Sequence, residues 1–341
     1  MRSTLDSRSE VHASASAGPG PDRYPNFDIL RLFLALGVVL YHAPLLVKGM
    51  QAFTVWVNYV PAFLTVSGFL VLQSFESSKS WGEFVAKRCW RLLPALGLNI
   101  LVISLWMDWD VGRSSIIQWF SGGHLELAPF SNGVLWSLGY EEGFYAFLAI
   151  LYILGGYRRP WIIWILWLVG AAVSFWSDGQ SQFVSDRAHL VSAFFAGNLL
   201  YIYRDKLRSV GPWLPSGILL VALVGKHFWF KYSQDTAFNL MLPPVYIWWA
   251  FAGVQISLPK RWPDLSYGVY LWHLPVIWFL QRDSLFLFPH NAWTLVMLAL
   301  LAAAISWFGV EQPFKVLRRR MVKKQTRAGA STKLAENSPS T

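Results

Sequence analysis

The chain has 341 residues, of which 55% are hydrophobic and only 14% charged, with 20 Trp and a formal net charge of +10. A soluble domain carries about a quarter charged residues, and no single soluble core could bury this much apolar surface, so an ordinary soluble enzyme or binding module is excluded. The lone cysteine, Cys89, leaves no intramolecular disulfide, cysteine zinc cluster or Cys-x-x-Cys pair.

In chain order, residues 1–25 are polar and lack the apolar core of a signal peptide, which predicts a disordered cytoplasmic tail. The run from Ile29 reads as an uncleaved signal anchor. Apolar runs near spanning length predict spans at 29–47, 54–73, 92–107, 134–154, 160–176, 189–203, 212–230, 237–256, 266–281 and 292–310. With a cytoplasmic N-terminus, only Lys48, Arg113, Arg187, Lys226, Lys231 and Arg282 of the 29 Lys and Arg fall outside. That asymmetry obeys the positive-inside rule. The expected fold is therefore all-α: a polytopic transmembrane bundle of about ten spans, both termini cytoplasmic. A transmembrane domain is expected over 26–317, followed by a basic, disordered cytoplasmic tail over 318–341. The basic residues serve orientation in the lipid bilayer, and no nucleic-acid partner is expected.

Ionisable groups at membrane depth are costly and mark function or helix pairing. Arg31 and His42 lie eleven residues apart in NFDILRLFLALGVVLYHAP. They share a helix face, about 16 Å apart along the axis, with Asp28 placed to pair with Arg31. A cation at the cytoplasmic mouth and a titratable group deeper in describe a path for an anionic substrate. A snorkelling Arg and an interhelical His describe the same residues without chemistry. In the basic loop ESSKSWGEFVAKRCWRLLP, Arg88 and Arg91 would point the same way on a helix and suit phosphate recognition. A plain topology signal is the alternative. Glu141 and Tyr145 share a face in SNGVLWSLGYEEGFYAF, where the carboxylate can orient a His, act as a base, or simply pair two helices. His273, beside Pro275, reads as a structural histidine near a kink. No two histidines have i, i+4 spacing, so no metal site is expected.

These segments together resemble the acyltransferase-3 family of membrane acyltransferases, from Asn26 to about Pro313. NFDILRLFLALGVVLYHA carries its Arg-x10-His helix, and PAFLTVSGFLVLQSF its Ser-Gly-Phe-Leu span with Ser67. FVAKRCWRLLPAL carries Arg-x-x-Arg before a proline. VLWSLGYEEGFYAF carries Trp136, Ser137, Glu141 and Tyr145, with Gly143 where many relatives have Gln. LSYGVYLWHLPV carries Ser266, Tyr267, Tyr270 and His273, and VEQPFK carries Glu311 and Pro313.

The resemblance implies an enzyme moving an acyl group, often acetyl, from cytoplasmic acyl-CoA to a hydroxyl of a carbohydrate or glycan acceptor. It would be a multi-pass protein of the cytoplasmic (inner) membrane. Acetyl-CoA is the expected co-substrate, with no other cofactor. Arg31, Arg88 and Arg91 are expected to serve the donor and His42 to be catalytic, with Glu141 orienting or tuning its imidazole. Asp28, Ser67, Trp136, Ser137, Tyr145, His273 and Glu311 are expected to support them. Many relatives carry a fused extracytoplasmic esterase-like domain. Here the acyl relay is expected to end at the bundle or to pass to a separate extracytoplasmic transferase. A transporter or flippase of lipid-linked or acidic glycans, using the same buried cations for binding only, is the rival reading. A scaffold without chemistry is a third.

Overall fold

Helices carry the described chain, as a sequence this apolar requires when its backbone groups have no water to pair with. The structure is a computed structural model and describes residues 24–50, 59–125, 131–177, 180–228, 236–256, 259, 262–282 and 289–321. Among these residues there are twelve α-helices and no strand. They are α1 (Pro25–His42), α2 (Tyr59–Glu76), α3 (Trp81–Trp106), α4 (Trp109–Ser121), α5 (Leu135–Ile153), α6 (Pro160–Ser177), α7 (Gln182–Ile202), α8 (Arg204–Val210), α9 (Trp213–Phe228), α10 (Thr236–Ala252), α11 (Ser266–Arg282) and α12 (Ala292–Ser306). Each of the ten predicted spans falls on a helix, while the short α4 and α8 escape the apolar pattern. Among the described residues, five segments are long and apolar enough to cross a membrane: Pro25–Leu45, Tyr59–Glu76, Trp81–Trp106, Pro160–Ser177 and Ala292–Met321. The described residues are all-helical, and the chain is a multi-pass membrane protein.

Two predicted boundaries change. The basic loop before span three is the start of α3. The Ser80 side chain accepts from the Glu83 N–H, and the Lys79 N–H, one residue before the cap, donates to Glu83 Oε2 at 2.9 Å, a variant of the capping box that fixes the helix start. At 26 residues, α3 is about 39 Å long and outreaches a hydrocarbon core of about 30 Å. At the other end, α12 runs through a π-helical turn (Trp307–Glu311) into helix that reaches Met321, past the predicted boundary at 317. The rest of both predicted tails, 1–23 and 322–341, lies outside the described residues.

Small residues allow the closest packing, as in other membrane bundles. A Cβ on Gly68 of α2 would lie 2.1 Å from the Phe194 carbonyl oxygen of α7. One on Gly197 of α7 would lie 2.1 Å from the Thr65 carbonyl oxygen of α2. Asn198 ties the same pair by donating to the Gly68 carbonyl at 3.2 Å. The Ser-Gly-Phe motif thus divides its labour: Gly68 admits α7, and fully buried Phe69 packs against Tyr24, Phe27, Tyr201 and Phe251.

Pro275 shapes α11. It has no N–H to give the Leu271 carbonyl one turn back. Asn99 of α3 and Asn132 fill that vacancy, donating from Nδ2 at 3.2 and 3.1 Å. The freed carbonyl is thereby bonded to neighbouring segments, and the proline lies two residues beyond His273.

Candidate functional site

Helices α1 and α11 run side by side in the same direction. Near the start of α1, Arg31 Nη1 donates to Asp264 Oδ2, just ahead of α11, at 2.8 Å. At the end of α1, His42 Nδ1 lies 3.2 Å from His273 Nε2 of α11. The Arg31–His42 face predicted from spacing is therefore the face that α11 covers, with one polar pair at each end.

The cationic end is built around Asp264, which the sequence reading did not single out. Its Oδ2 also pairs with Arg91 Nη2 at 3.6 Å, and its Oδ1 accepts from the Ser266 hydroxyl at 2.7 Å. Burial raises the Asp264 carboxyl, but the Arg31 and Arg91 guanidiniums and the Ser266 hydroxyl outweigh it and hold the group well below the usual carboxylate range. Asp28, three residues earlier on the same helix and the expected partner of Arg31, attracts it electrostatically. Asp264 adds a direct ion pair, and from its place ahead of α11 it reaches both guanidiniums at once. Asp28 lines a small cavity together with Asp264.

A narrow cavity of about 60 Å³ opens between α1, α2, α3, α5 and α11. Arg31, Arg88, Arg91, Ser67, Ser137, Glu141, Tyr145 and Tyr270 supply its polar lining. Ser67 Oγ donates to Glu141 Oε1 at 2.5 Å, and the Tyr145 hydroxyl donates to the same oxygen. The Arg88 guanidinium stacks on the Tyr145 and Phe84 rings at 5.5 and 5.6 Å. Its buried Nε–H has no hydrogen-bond partner among the described residues, which leaves a donor for a ligand acceptor. Arg88 and Arg91 do share a helix face, as predicted.

Beyond the cavity lies the histidine pair. Tyr270 marks the boundary: its hydroxyl bonds Ser137 Oγ at 2.6 Å and donates to the Val134 carbonyl at 3.0 Å, while its own carbonyl receives His273 Nδ1 at 2.7 Å. A ring nitrogen facing a carbonyl must carry the proton. His273 is therefore protonated at Nδ1 and presents Nε2 as an acceptor. His42 Nδ1 faces that acceptor and the Val38 carbonyl at 3.0 Å, so it too carries the proton. By this hydrogen-bond assignment, His42 Nε2 holds the free lone pair, the atom a base or nucleophile uses.

Glu141 was expected to orient His42. Its partners are Ser67 and Tyr145, and the ring that orients His42 is His273. Ser67, Ser137 and Tyr145 line the cavity, whereas two of the other residues named from sequence sit elsewhere. Trp136 lies under the Arg187 guanidinium at 4.8 Å, and Glu311 is buried in the π-helical turn, 3.4 Å from Ser306 Oγ. Asp264 and Tyr270 are what the site reading missed. The SYGVYLWHL pattern contained Tyr270, but nothing local marked Asp264.

The sequence pattern of the acyltransferase-3 family, described as an acyltransferase domain, matches residues 24–310. The chain belongs to that family and is an acyltransferase. It is 28% identical to Nodulation protein 10 of Rhizobium leguminosarum bv. viciae, over 87% of this chain and 95% of that protein. It is 26% identical to ORF330 of Acidianus two-tailed virus, designated an acetyltransferase, over 73% and 82%. It is 25% identical to BcsY of Komagataeibacter xylinus, designated a membrane-bound transacylase, over 82% and 79%. No solved structure matches the chain at comparable significance.

Proposed function

We propose that the protein is an inner-membrane O-acyltransferase that moves an acyl group, in the first instance acetyl, from cytoplasmic acyl-CoA to a carbohydrate hydroxyl. The observation that carries this reading is the polarity of the α1–α11 seam, with guanidiniums at one end and an oriented imidazole at the other. An anionic head with a long uncharged arm and a thioester at its tip matches that layout. The donor's diphosphate meets Arg31, Arg91 and Arg88, and the pantetheine arm runs along the cavity. His42 Nε2 takes the proton of the acceptor hydroxyl as the oxygen bonds the acyl carbon. The carbon–sulfur bond then breaks, and the proton passes from the imidazolium to the leaving thiolate, which gives the ester and CoA. Ser67, Tyr145 and Glu141 line the path, and His273 holds the His42 tautomer. Ten crossings with both termini cytoplasmic complete the reading. They are supported by the parallel run of α1 and α11, which a ten-span order requires of spans one and nine.

The test is transfer by purified protein in lipid vesicles, with acyl-labelled acetyl-CoA and glycans from the source cell. Labelled ester on the glycan is the expected product. Binding of glycan with no acyl transfer under any donor supply would favour the transporter reading.

A further inference from the structure

The cavity beside α1 is not the only space that Arg91 borders. On its outer side lies a second, more open cavity of about 600 Å³. Five cations line it: Lys87 and Arg91 from α3, and Lys315, Arg318 and Arg319 from the helix that follows the π-helical turn. Among the described residues the one carboxylate on its wall is that of Asp264, which Arg31 and Arg91 already engage. Lys315 lies over the Trp307 ring at 3.6 Å. Neither Arg318 nor Arg319 ion-pairs with a carboxylate among the described residues. Positions 315, 318 and 319 stand at i, i+3 and i+4, on one helix face. From sequence this basic run served only as a topology anchor, yet an anchor has no need to face a cavity that joins the active one through a shared arginine.

Resting on the reading that acyl-CoA is the donor, we propose that this second cavity is a nucleotide subsite. In it, Lys315, Arg318 and Arg319 bind the 3′-phosphate monoester of the donor. The geometry follows the order of groups along the donor. With the pantetheine arm in the narrow cavity, the diphosphate falls at the junction, where Arg91 borders both spaces. The ribose 3′-phosphate then lies further out, toward the C-terminal helix. A phosphate monoester carries up to two negative charges near neutral pH and accepts charge-assisted hydrogen bonds from several guanidinium donors. The Trp90 indole, on the same wall, offers a face for the adenine.

The test compares acetyl-CoA with acetyl-dephospho-CoA, which differs only in lacking that phosphate. Wild type should show a KM about 10–100-fold higher for the dephospho donor, the worth of one or two charge-assisted bonds. Arg318→Gln/Arg319→Gln should raise the KM for acetyl-CoA by a similar factor and so erase the difference between the donors, as a coupled pair must. Lys315→Gln alone should erase part of it, which covers the case where the double variant fails to insert. Equal KM values for both donors in wild type would overturn the subsite while leaving acyl-CoA as donor. An equal loss with both donors in the double variant would also overturn it and assign the cluster to anionic lipid headgroups. Transfer from neither donor would overturn the donor reading itself, and the subsite with it.

Discussion

Asp264 is the residue on which two guanidiniums converge, and its consequences can be worked out from charge alone. Its carboxyl is held low, so its ion pairs stabilise the fold fully above the unfolded carboxyl value of about 3.9. That contribution is lost as pH falls through the depressed folded value. Between pH 5 and 8 it stays ionised and adds no titration of its own. The side chain is 26% exposed, which screens the pairs. Asp264→Asn should therefore lower thermal stability at pH 7 and remove part of the wild type's loss below about pH 4. It should also raise the donor KM, since Arg31 and Arg91 then repel each other unpaired. Melting curves across pH, with donor kinetics, check this; an unchanged curve would mean that the two guanidiniums are held by packing alone. At the other end of the seam, His273→Phe removes the acceptor that fixes the His42 tautomer. Transfer should fall by up to the roughly 10²–10⁴-fold worth of a general base, with donor binding retained and the pH profile displaced. A uniform loss of donor binding and folding would make His273 merely structural.

At the level of the helices, close approach and the prolines inside them decide how neighbours are held. Gly68→Ala places a Cβ into the α7 backbone. It should cost about 1–3 kcal/mol of overpacking, read as a lower melting temperature, while any protein that remains folded keeps its donor KM. Pro275→Ala restores an N–H that competes with Asn99 and Asn132 for the Leu271 carbonyl. Loosening α11 from α3 there should lower transfer more than stability, read by acyl transfer beside melting curves. How much of this was legible in the sequence follows the same division. Apolar runs gave ten of the helices, because a span announces itself by length and composition. The capping box at Ser80 and Glu83 was written in the sequence but hidden by the polar residues around it, so α3 was expected to start too late. The α4 and α8 helices are too short to leave a span signature. Spacing showed that Arg31 and His42 share a face, and that Arg88 and Arg91 do. Spacing cannot show what lies across the seam. Asp264 sits in a connection 233 residues from Arg31, and His273 meets His42 only because α11 lies alongside α1. Residues read singly, such as His273 near its proline, could not show which ring they meet across the seam.

At the scale of the whole molecule, one side of the bundle gathers the starts of α1 and α3, the approach to α11 and the basic helix after the π-helical turn, and this is where the proposed donor entrance lies. Reporters fused after Gly156 and after the C-terminus should read cytoplasmic, and one within 177–188 external. An external C-terminus would contradict the ten-span order. The central claim is that this donor entrance feeds an imidazole at the far end of the same seam. The direct measurement is acyl transfer and acyl-CoA binding by purified, folded His42→Gln beside wild type. Glutamine keeps a hydrogen-bonding group but cannot accept the hydroxyl proton. The expected result is donor binding close to wild type with transfer reduced by at least about 10²–10⁴-fold; near-normal turnover by His42→Gln would contradict it.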